Sequence, residues 1–319
     1  MTNFHFGIGE RWALVAAVAY TVVNVTLRIA APTIDPALGS LLRLVPLGLI
    51  AWFVVLRGGA REFRPGRPEF LGWRLIGALL VGGATSLVLG NILYLMALTN
   101  GGLGITVSGV QGGSVLGGLW IGLLVLAERP RRAQIAGAAV IVIGLVSIAI
   151  AQTRSVLEYW WVGLIFALGA GTTYAISNVL SGFVQRRRPL LFVTLAGSNI
   201  GGLVPLLLIV GSRWAANPAS VPVDARSAIA VLIAGLANAV ALAALTMAVR
   251  HTTVAATTMI SSSSIVLSFA ASVLLFSETG APAMLLGVLL VTAGIVVAQV
   301  RRGARPRAIA EPGPYAPGD

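Results

Sequence analysis

Two polar stripes interrupt an otherwise apolar sequence. Tyr20, Asn24 and Arg28 follow one another at intervals of four residues, and Tyr174 and Asn178 repeat the first two members later in the chain. Residues four apart lie on the same face of a helix. Phenol, amide and guanidinium groups on one face can bind the polar groups of a small molecule. They can also join neighbouring helices within a membrane, so both interpretations stay open here.

A second set of polar residues lies in two segments rich in serine, threonine and glycine. Gln111 and Ser114 in the first segment correspond to Ser261 and Ser264 in the second at an offset of 150 residues. A dense run of small residues loosens a helix, which suits a segment that faces a substrate. The residues that we predict to bind a substrate are Tyr20, Asn24, Arg28, Asn91, Gln111, Ser114, Tyr174, Asn178, Asn238, Ser261 and Ser264.

Several kinds of chemistry are excluded by the residue types that the chain lacks. It contains no cysteine and no lysine, and its two histidines, His5 and His251, lie outside the apolar stretches. A thiolate nucleophile, a Walker A lysine and a pyridoxal Schiff base are therefore absent. A histidine-based metal site is not expected either. We accordingly expect neither a cofactor nor an enzyme.

The composition predicts the elements that hold these residues. The chain is 57% hydrophobic and 10% charged, whereas a soluble domain carries about 25% charged residues. Apolar runs of about 20 residues indicate transmembrane helices, so we predict an all-α membrane protein with ten of them. The predicted spans are Trp12–Ala30, Ala37–Leu56, Trp73–Leu98, Leu103–Leu126, Ala133–Ala151, Trp160–Val184, Leu190–Val210, Ser227–Val249, Thr253–Phe276 and Ala281–Val300.

The arginines predict the orientation of these spans. Seventeen of them fall in the N-terminus, the even-numbered loops and the tail, with Arg74 at the start of the third span counted in the loop before it. Three fall in the odd-numbered loops, and two, Arg28 and Arg43, lie inside spans. Positive charge accumulates on the cytoplasmic side. We therefore expect both termini to be cytoplasmic, with residues 1–11 as the N-terminal segment and 301–319 as a disordered tail. The surplus of positive charge is not expected to bind nucleic acid.

The two halves of the chain resemble each other. Glu128 aligns with Glu278, and the glycines of the following helix, Gly137 and Gly144, align with Gly287 and Gly294 at an offset of 150. Each half contains five predicted spans, so two tandem halves must lie oppositely in the membrane. We predict an inverted repeat over 12–151 and 160–300, an arrangement typical of secondary transporters.

Four charged residues near the ends of predicted spans need separate interpretation. Glu128 and Glu278 precede the proline that begins the next helix, where the helix dipole favours a carboxylate. We therefore interpret both as structural. Arg43 is expected to extend towards the lipid headgroups; the alternative for both arginines is an electropositive outer vestibule. Arg28 is the better candidate for an anionic or zwitterionic group, because it shares a face with the first polar stripe.

The arrangement resembles the EamA-type drug/metabolite transporters. It consists of five plus five spans, a glutamate ending the fourth and ninth, and glycines in the fifth and tenth. The resemblance implies a central cavity lined by the first, third, fourth, sixth, eighth and ninth helices, with the second and seventh more peripheral. Small multidrug pumps, which each half also resembles, use a buried glutamate in their first helix, but all ten acidic residues here lie outside the middle of the spans.

The sequence therefore predicts a bacterial inner-membrane carrier that moves a small polar metabolite by alternating access. Export of an amino acid or related compound is the preferred activity. The alternatives are an exporter of cationic drugs or dyes and a membrane scaffold that transports nothing. The expected partners are the small-molecule substrate, the lipid bilayer and, in the case of a homo-oligomer, a second copy of the chain.

Overall fold

A computed structural model describes residues 7–124, 130–152, 159–185, 191–221, 224–252, 254–278 and 280–299, which are helical apart from short connections. The helices are α1 (Ile8–Ala30), α2 (Pro36–Arg57), α3 (Trp73–Gly83), a π-helix (Ala84–Gly90), α4 (Asn91–Leu124), α5 (Arg132–Gln152), α6 (Trp160–Gln185), α7 (Leu191–Ala216), α8 (Ala225–His251), α9 (Val254–Ser261), α10 (Ser263–Phe276) and α11 (Pro282–Gln299). Glu128 and the tail after Gln299 lie outside these ranges.

The described helices are those of a multi-pass membrane protein. Eight segments are long and apolar enough to cross a bilayer, and α10 is a shorter apolar helix. Large apolar side chains point outward along them, such as Leu124 at 72% exposure and Leu274 at 79%. A soluble protein rarely exposes such a continuous apolar surface, whereas lipid accommodates it.

Helix starts follow local sequence signals outside the apolar runs. The Asp35 carboxylate accepts hydrogen bonds from the backbone N–H groups of Ala37 and Leu38 at 3.1 and 3.0 Å, and Pro36 is the first residue of α2. Asp224 accepts from the N–H of Ser227 at 3.1 Å at the start of α8. These carboxylates satisfy donors that a helix leaves free at its first turn.

Two irregular points divide the long helical run from Trp73 to Leu124. The π-helix Ala84–Gly90 adds a wide turn directly before Asn91. Gly102 has φ of 73° and ψ of −178°, so the helix breaks there and restarts at Leu103. We predicted a loop at this place; the structure replaces it with a break of one residue. The predicted ninth span is likewise divided, into α9 and α10.

Glycines bring two helix pairs into backbone contact. A Cβ on Gly144 would lie 2.7 Å from the carbonyl oxygen of Gly287, and one on Gly287 would lie 2.6 Å from that of Gly144. Gly137 and Gly294 form an equivalent contact elsewhere along α5 and α11, in which a Cβ on either residue would meet the carbonyl oxygen of the other. Small residues allow helices to pack closely in membranes, and α5 and α11 are joined by packing of this kind.

The remaining packing places α1, α4 and α6 at the centre of the bundle. α4 packs along α6, and α1 packs against α8, α9, α10 and α4. α2 packs against α7, α8 and α4, so it is less peripheral than the resemblance implied. The polar side chains described next lie where these helices meet.

Candidate functional site

An ion pair joins α1 to the segment that follows α10. Arg28 Nε on α1 lies 3.0 Å from Glu278 Oε1, just beyond the end of α10, and the two side chains are 15% and 9% exposed. Arg28 Nη1 also donates to the carbonyl oxygen of Leu98 at 2.7 Å. The charge of Arg28 is therefore balanced within the protein. Arg28 consequently has less capacity to bind an anionic substrate than the sequence led us to expect.

Glu278 also caps a helix from a distance. Its carboxylate oxygens accept hydrogen bonds from the N–H of Leu103 at 2.8 and 2.9 Å and from that of Gly104 at 3.2 Å. A Cβ on Gly102 would lie 2.6 Å from Glu278 Oε1, so a glycine is required at this break. We expected Glu278 to stabilise the start of the next helix in sequence. It stabilises the restarted part of α4 instead.

A second charged side chain, Arg43 on α2, lies among aromatic and amide groups. Its Nη1 donates to Asn91 Oδ1 at 3.3 Å, and its guanidinium carbon is 5.7 Å from the centre of the Tyr94 ring. The hydroxyl of Tyr174 donates to the same Asn91 oxygen at 2.8 Å. The guanidinium also interacts electrostatically with Tyr20 and Tyr174. We call Tyr20, Arg43, Asn91, Tyr94 and Tyr174 the Arg43 cluster.

Asn24 links this cluster to α10. Its Oδ1 accepts a hydrogen bond from the Tyr94 hydroxyl at 2.7 Å, and its Nδ2 donates to Ser268 Oγ at 2.9 Å. Ser268 is fully buried. The network therefore extends across α1, α4 and α10, and α2 and α6 join it through Arg43 and Tyr174.

The π-helix positions part of the cluster. A Cβ on Gly90, its last residue, would lie 2.7 Å from Tyr174 Cε1, so the ring packs directly on the backbone there. Asn91, the next residue, is 4% exposed. One turn earlier, Ser86 donates to Ser177 Oγ at 3.0 Å and holds α6 against the π-helix. π-helical turns occur frequently at functional sites.

The predicted binding residues in the later part of α4, Gln111 and Ser114, form no hydrogen bond with the Arg43 cluster within the described residues. Gly109, Gly113 and Gly117 pack against α6 and its backbone, whereas Gln111 is exposed and Ser114 is half-buried. Ser114 borders a cleft of about 240 Å³ between the ends of α4, α5 and α11. The further residues that line this cleft include Gly118, Gly122, Gln134 and Gln299.

The other predicted binding residues are not gathered into one group. Asn178, one turn from Tyr174, is exposed, and a Cβ added to Gly182 beyond it would meet no atom within 4 Å. Asn238 is half-buried on α8, and no hydrogen bond to it is formed within the described part of the chain. Ser261 is half-buried, whereas Ser264 is 3% exposed.

Sequence reasoning missed three residues of the network: Arg43, Tyr94 and Ser268. Arg43 was interpreted as extending to the headgroups, but it contacts Asn91 and Tyr94 instead. The signal for Tyr94 was its position three residues after Asn91, which places both on one helix face. Ser268 lies four residues after Ser264, so it continues the serine face of α10.

Comparison with known proteins gives a family match over most of the chain. The model of the EamA-like transporter family matches twice, at residues 7–150 and 161–299. A solved structure described only as "Crystal structure of protein" is similar with a TM-score of 0.58 and 18% identity. The similarity covers 91% of this chain and 97% of that one, and it bears on the fold alone. No curated protein matches the sequence significantly.

Proposed function

We propose that this chain, which belongs to the EamA-like transporter family, exports a small polar metabolite, an amino acid or related compound, by alternating access. Membership of this family implies a multi-pass membrane transporter of the drug/metabolite type rather than an enzyme. The observation that carries this proposal is the polar network at the centre of the bundle. Polar side chains within a membrane are costly and typically mark a substrate pathway.

The proposed architecture is ten transmembrane helices in two inverted repeats of five. Two consecutive family matches support the repeat. The run Trp73–Leu124 has 52 residues, about 78 Å at 1.5 Å per residue, and its break at Gly102 suits two crossings. Together α9 and α10 span the length of one further crossing.

The glycine contacts also support inversion. Gly144 meets Gly287, and Gly137 meets Gly294, although repeat equivalence pairs Gly137 with Gly287 and Gly144 with Gly294. A two-fold axis that relates the two halves converts the contact between Gly137 and Gly294 into a contact between Gly287 and Gly144. Both contacts are present, as such an axis requires. An axis in the membrane plane relates the two halves of inverted-repeat carriers.

The proposed binding site is the Arg43 cluster with Asn24. Tyr20 and Tyr174 lie near the middle of α1 and α6, in the two different halves of the chain. We place Asn178, Asn238, Gln111, Ser114, Ser261 and Ser264 along the path that the substrate follows from this centre. In the proposed cycle the halves rock about the centre, and the Arg28–Glu278 pair closes the outer end in the state described here.

Flux measurements in proteoliposomes test this proposal. We expect uptake of at least one member of a panel of amino acids and related metabolites above that of empty vesicles. A Tyr20→Phe, Asn178→Ala variant should transport more slowly, because it lacks hydrogen-bonding groups of the site and pathway. Tyr159→Phe is the matched control, since Tyr159 is 57% exposed and lies before α6.

Each outcome has a separate meaning. No flux for any metabolite would contradict the transport proposal. Flux that is unchanged in the double variant would contradict the site and leave transport standing. Resistance of overproducing cells to quaternary ammonium compounds, without metabolite flux, would favour the cationic drug exporter instead. Effects of the polar variants on thermal stability alone would favour a scaffold.

A further inference from the structure

We propose that Arg43 binds a carboxylate of the substrate, so the transported compounds are anionic or zwitterionic. This inference rests on the proposed function and specifies the substrate class of the same site. It assigns the recognition of charge to a residue on the second helix, for which the sequence favoured the lipid headgroups and which the resemblance placed on a more peripheral helix.

The first argument is the missing counter-charge of Arg43. Among the described residues, Arg28 and Arg213 pair with Glu278 and Asp35 at 3.0 and 2.9 Å, but Arg43 has no carboxylate within 4.0 Å. It is half-buried within α2. Charged side chains inside a membrane typically pair with one another or with backbone carbonyls, and they mark substrate and ion pathways.

The second argument is that the partners of Arg43 among the described residues are neutral: Asn91 and the tyrosines Tyr20, Tyr94 and Tyr174, of which Tyr174 also lies in hydrogen-bonding range. Its bond to Asn91 Oδ1 is 3.3 Å long, beyond the usual 2.7–3.2 Å, and Tyr174 already donates to that oxygen at 2.8 Å. The Tyr94 hydroxyl donates to Asn24. A guanidinium has five N–H donors arranged to bind a carboxylate in bidentate fashion. These neutral partners leave donors and the positive charge available for an anionic ligand.

The third argument is that the fold does not require an arginine at this position. The sequence Leu44-Val45-Pro46-Leu47 recurs as Leu203-Val204-Pro205-Leu206 in the second half, which places Gly202 at the position equivalent to Arg43. Gly202 packs against Leu44 and Leu87 side chains, so the second half uses this position for helix packing. The second half therefore packs at this position without a charge, and Arg43, unlike Arg28, has no acidic partner among the described residues that would give its charge a structural role.

The backbone around Arg43 is also firmly held. A Cβ on Gly235 of α8 would lie 2.7 Å from the carbonyl oxygen of Arg43 and 2.8 Å from Pro46 Cγ. This close approach fixes the rotation of α2 and therefore the direction in which the Arg43 side chain leaves it. The hydroxyl of Tyr20 and the amide of Asn238 form no hydrogen bond within the described residues, so they could bind the remaining polar groups of a substrate.

Binding measurements on the purified protein test the inference. The probes are benzoate, L-phenylalanine and L-glutamate. Each is compared with its amide, in which the carboxylate of benzoate or the α-carboxylate of the amino acid is replaced by a carboxamide. We expect the wild-type protein to bind at least one acid at least 10-fold more tightly than its amide. Arg43→Gln should weaken binding of that acid at least 10-fold, and Arg43→Lys should weaken it less because the charge is kept.

Arg57→Gln is the matched control for this series. Arg57 ends the same helix, and its guanidinium lies 4.4 Å from the centre of the Phe53 ring, so the substitution removes one charge outside the cluster. It should leave both acid binding and the preference over amides unchanged. The thermal midpoint of the unliganded Arg43→Gln protein should equal or exceed that of wild type, because an uncompensated charge is removed.

The outcomes separate this inference from the transport proposal. Flux of a neutral or cationic compound that persists in Arg43→Gln would overturn the carboxylate assignment while transport stands. Equal binding of acids and amides by the wild-type protein would overturn it without any variant. A lowered thermal midpoint in Arg43→Gln, with unchanged acid binding, would make Arg43 a structural residue. Absence of flux for every compound would instead count against the transport proposal.

Discussion

Two arginines within the helices have opposite surroundings, and this contrast decides what each can do. Arg28 forms a short ion pair with Glu278, whose carboxylate also accepts N–H groups at a helix start. Arg43 contacts only neutral groups among the described residues. Neutralised charge contributes to structure, whereas unneutralised charge attracts a ligand of opposite sign. The residue type alone does not distinguish these roles, since both residues are arginines in apolar spans.

Replacement of Glu278 by Gln should destabilise the protein strongly. The substitution leaves the Arg28 guanidinium buried without its counter-charge and weakens the hydrogen bonds to Leu103 and Gly104. Breaking a buried pair in this way costs about 3–5 kcal/mol. The measurement is thermal unfolding in detergent, in which Glu278→Gln should unfold at a clearly lower temperature. An Arg28→Gln, Glu278→Gln double variant should recover part of the loss.

Glu69→Gln is the control for this substitution. Glu69 and Arg61 are 46% and 65% exposed and 4.0 Å apart, and exposed pairs contribute only about 0–1 kcal/mol. Equal destabilisation by Glu69→Gln and Glu278→Gln would contradict the importance that we assign to the buried pair.

At the residue scale the sequence predicted the stripe on α1 and its counterpart on α6, because spacing and polarity are local properties. Asn24 and Tyr174 do join one network, through Tyr94, Arg43 and Asn91, whereas Tyr20 forms no hydrogen bond to it within the described residues. We predicted that Arg43 extends to the lipid headgroups because it lies close enough to the helix end for its side chain to reach them. The rotation of α2 depends on its contact with Gly235 of α8, which is not a property of the α2 sequence.

At the element scale, close contacts between glycines determine how α5 and α11 pack. Gly144→Ala and Gly287→Ala should each destabilise the protein by about 1–3 kcal/mol, because each added methyl group overlaps a facing carbonyl oxygen. The double variant should lose less than the sum, since both substitutions separate the same two backbones. The measurement is again the thermal unfolding of single and double variants.

Gly77→Ala is the comparison for these glycines. No atom lies within 4 Å of the Cβ that it would add in α3, and alanine is the better helix former. Its stability should be unchanged or slightly raised. A similar loss at Gly77 would mean that the losses at Gly144 and Gly287 do not come from the close contact of α5 with α11.

The elements also show where sequence patterns are insufficient. Hydropathy predicted the apolar runs because a bilayer selects for them. Hydropathy did not reveal the π-helix before Asn91, because a π-helical turn differs from an α-helical turn in its backbone hydrogen bonds and not in the polarity of its residues. The signal at Gly101 and Gly102 predicted a loop, yet only Gly102 leaves the helical conformation. The Glu278 carboxylate satisfies the donors at the restart, and this long-range contact is invisible to local patterns.

At the scale of the whole molecule, the proposed inversion predicts that equivalent connections lie on opposite sides of the membrane. The α2–α3 and α7–α8 connections occupy the same place in their halves, and the first carries more arginine. Because the chain has no cysteine, single cysteines can report their side. Ala216→Cys should react with a membrane-impermeant maleimide in intact cells, whereas Arg64→Cys should react only after permeabilisation. Both positions are exposed, so slow labelling would not reflect burial. Labelling of both cysteines from the same side would mean parallel halves, and the reciprocal contacts of α5 and α11 would then need another explanation.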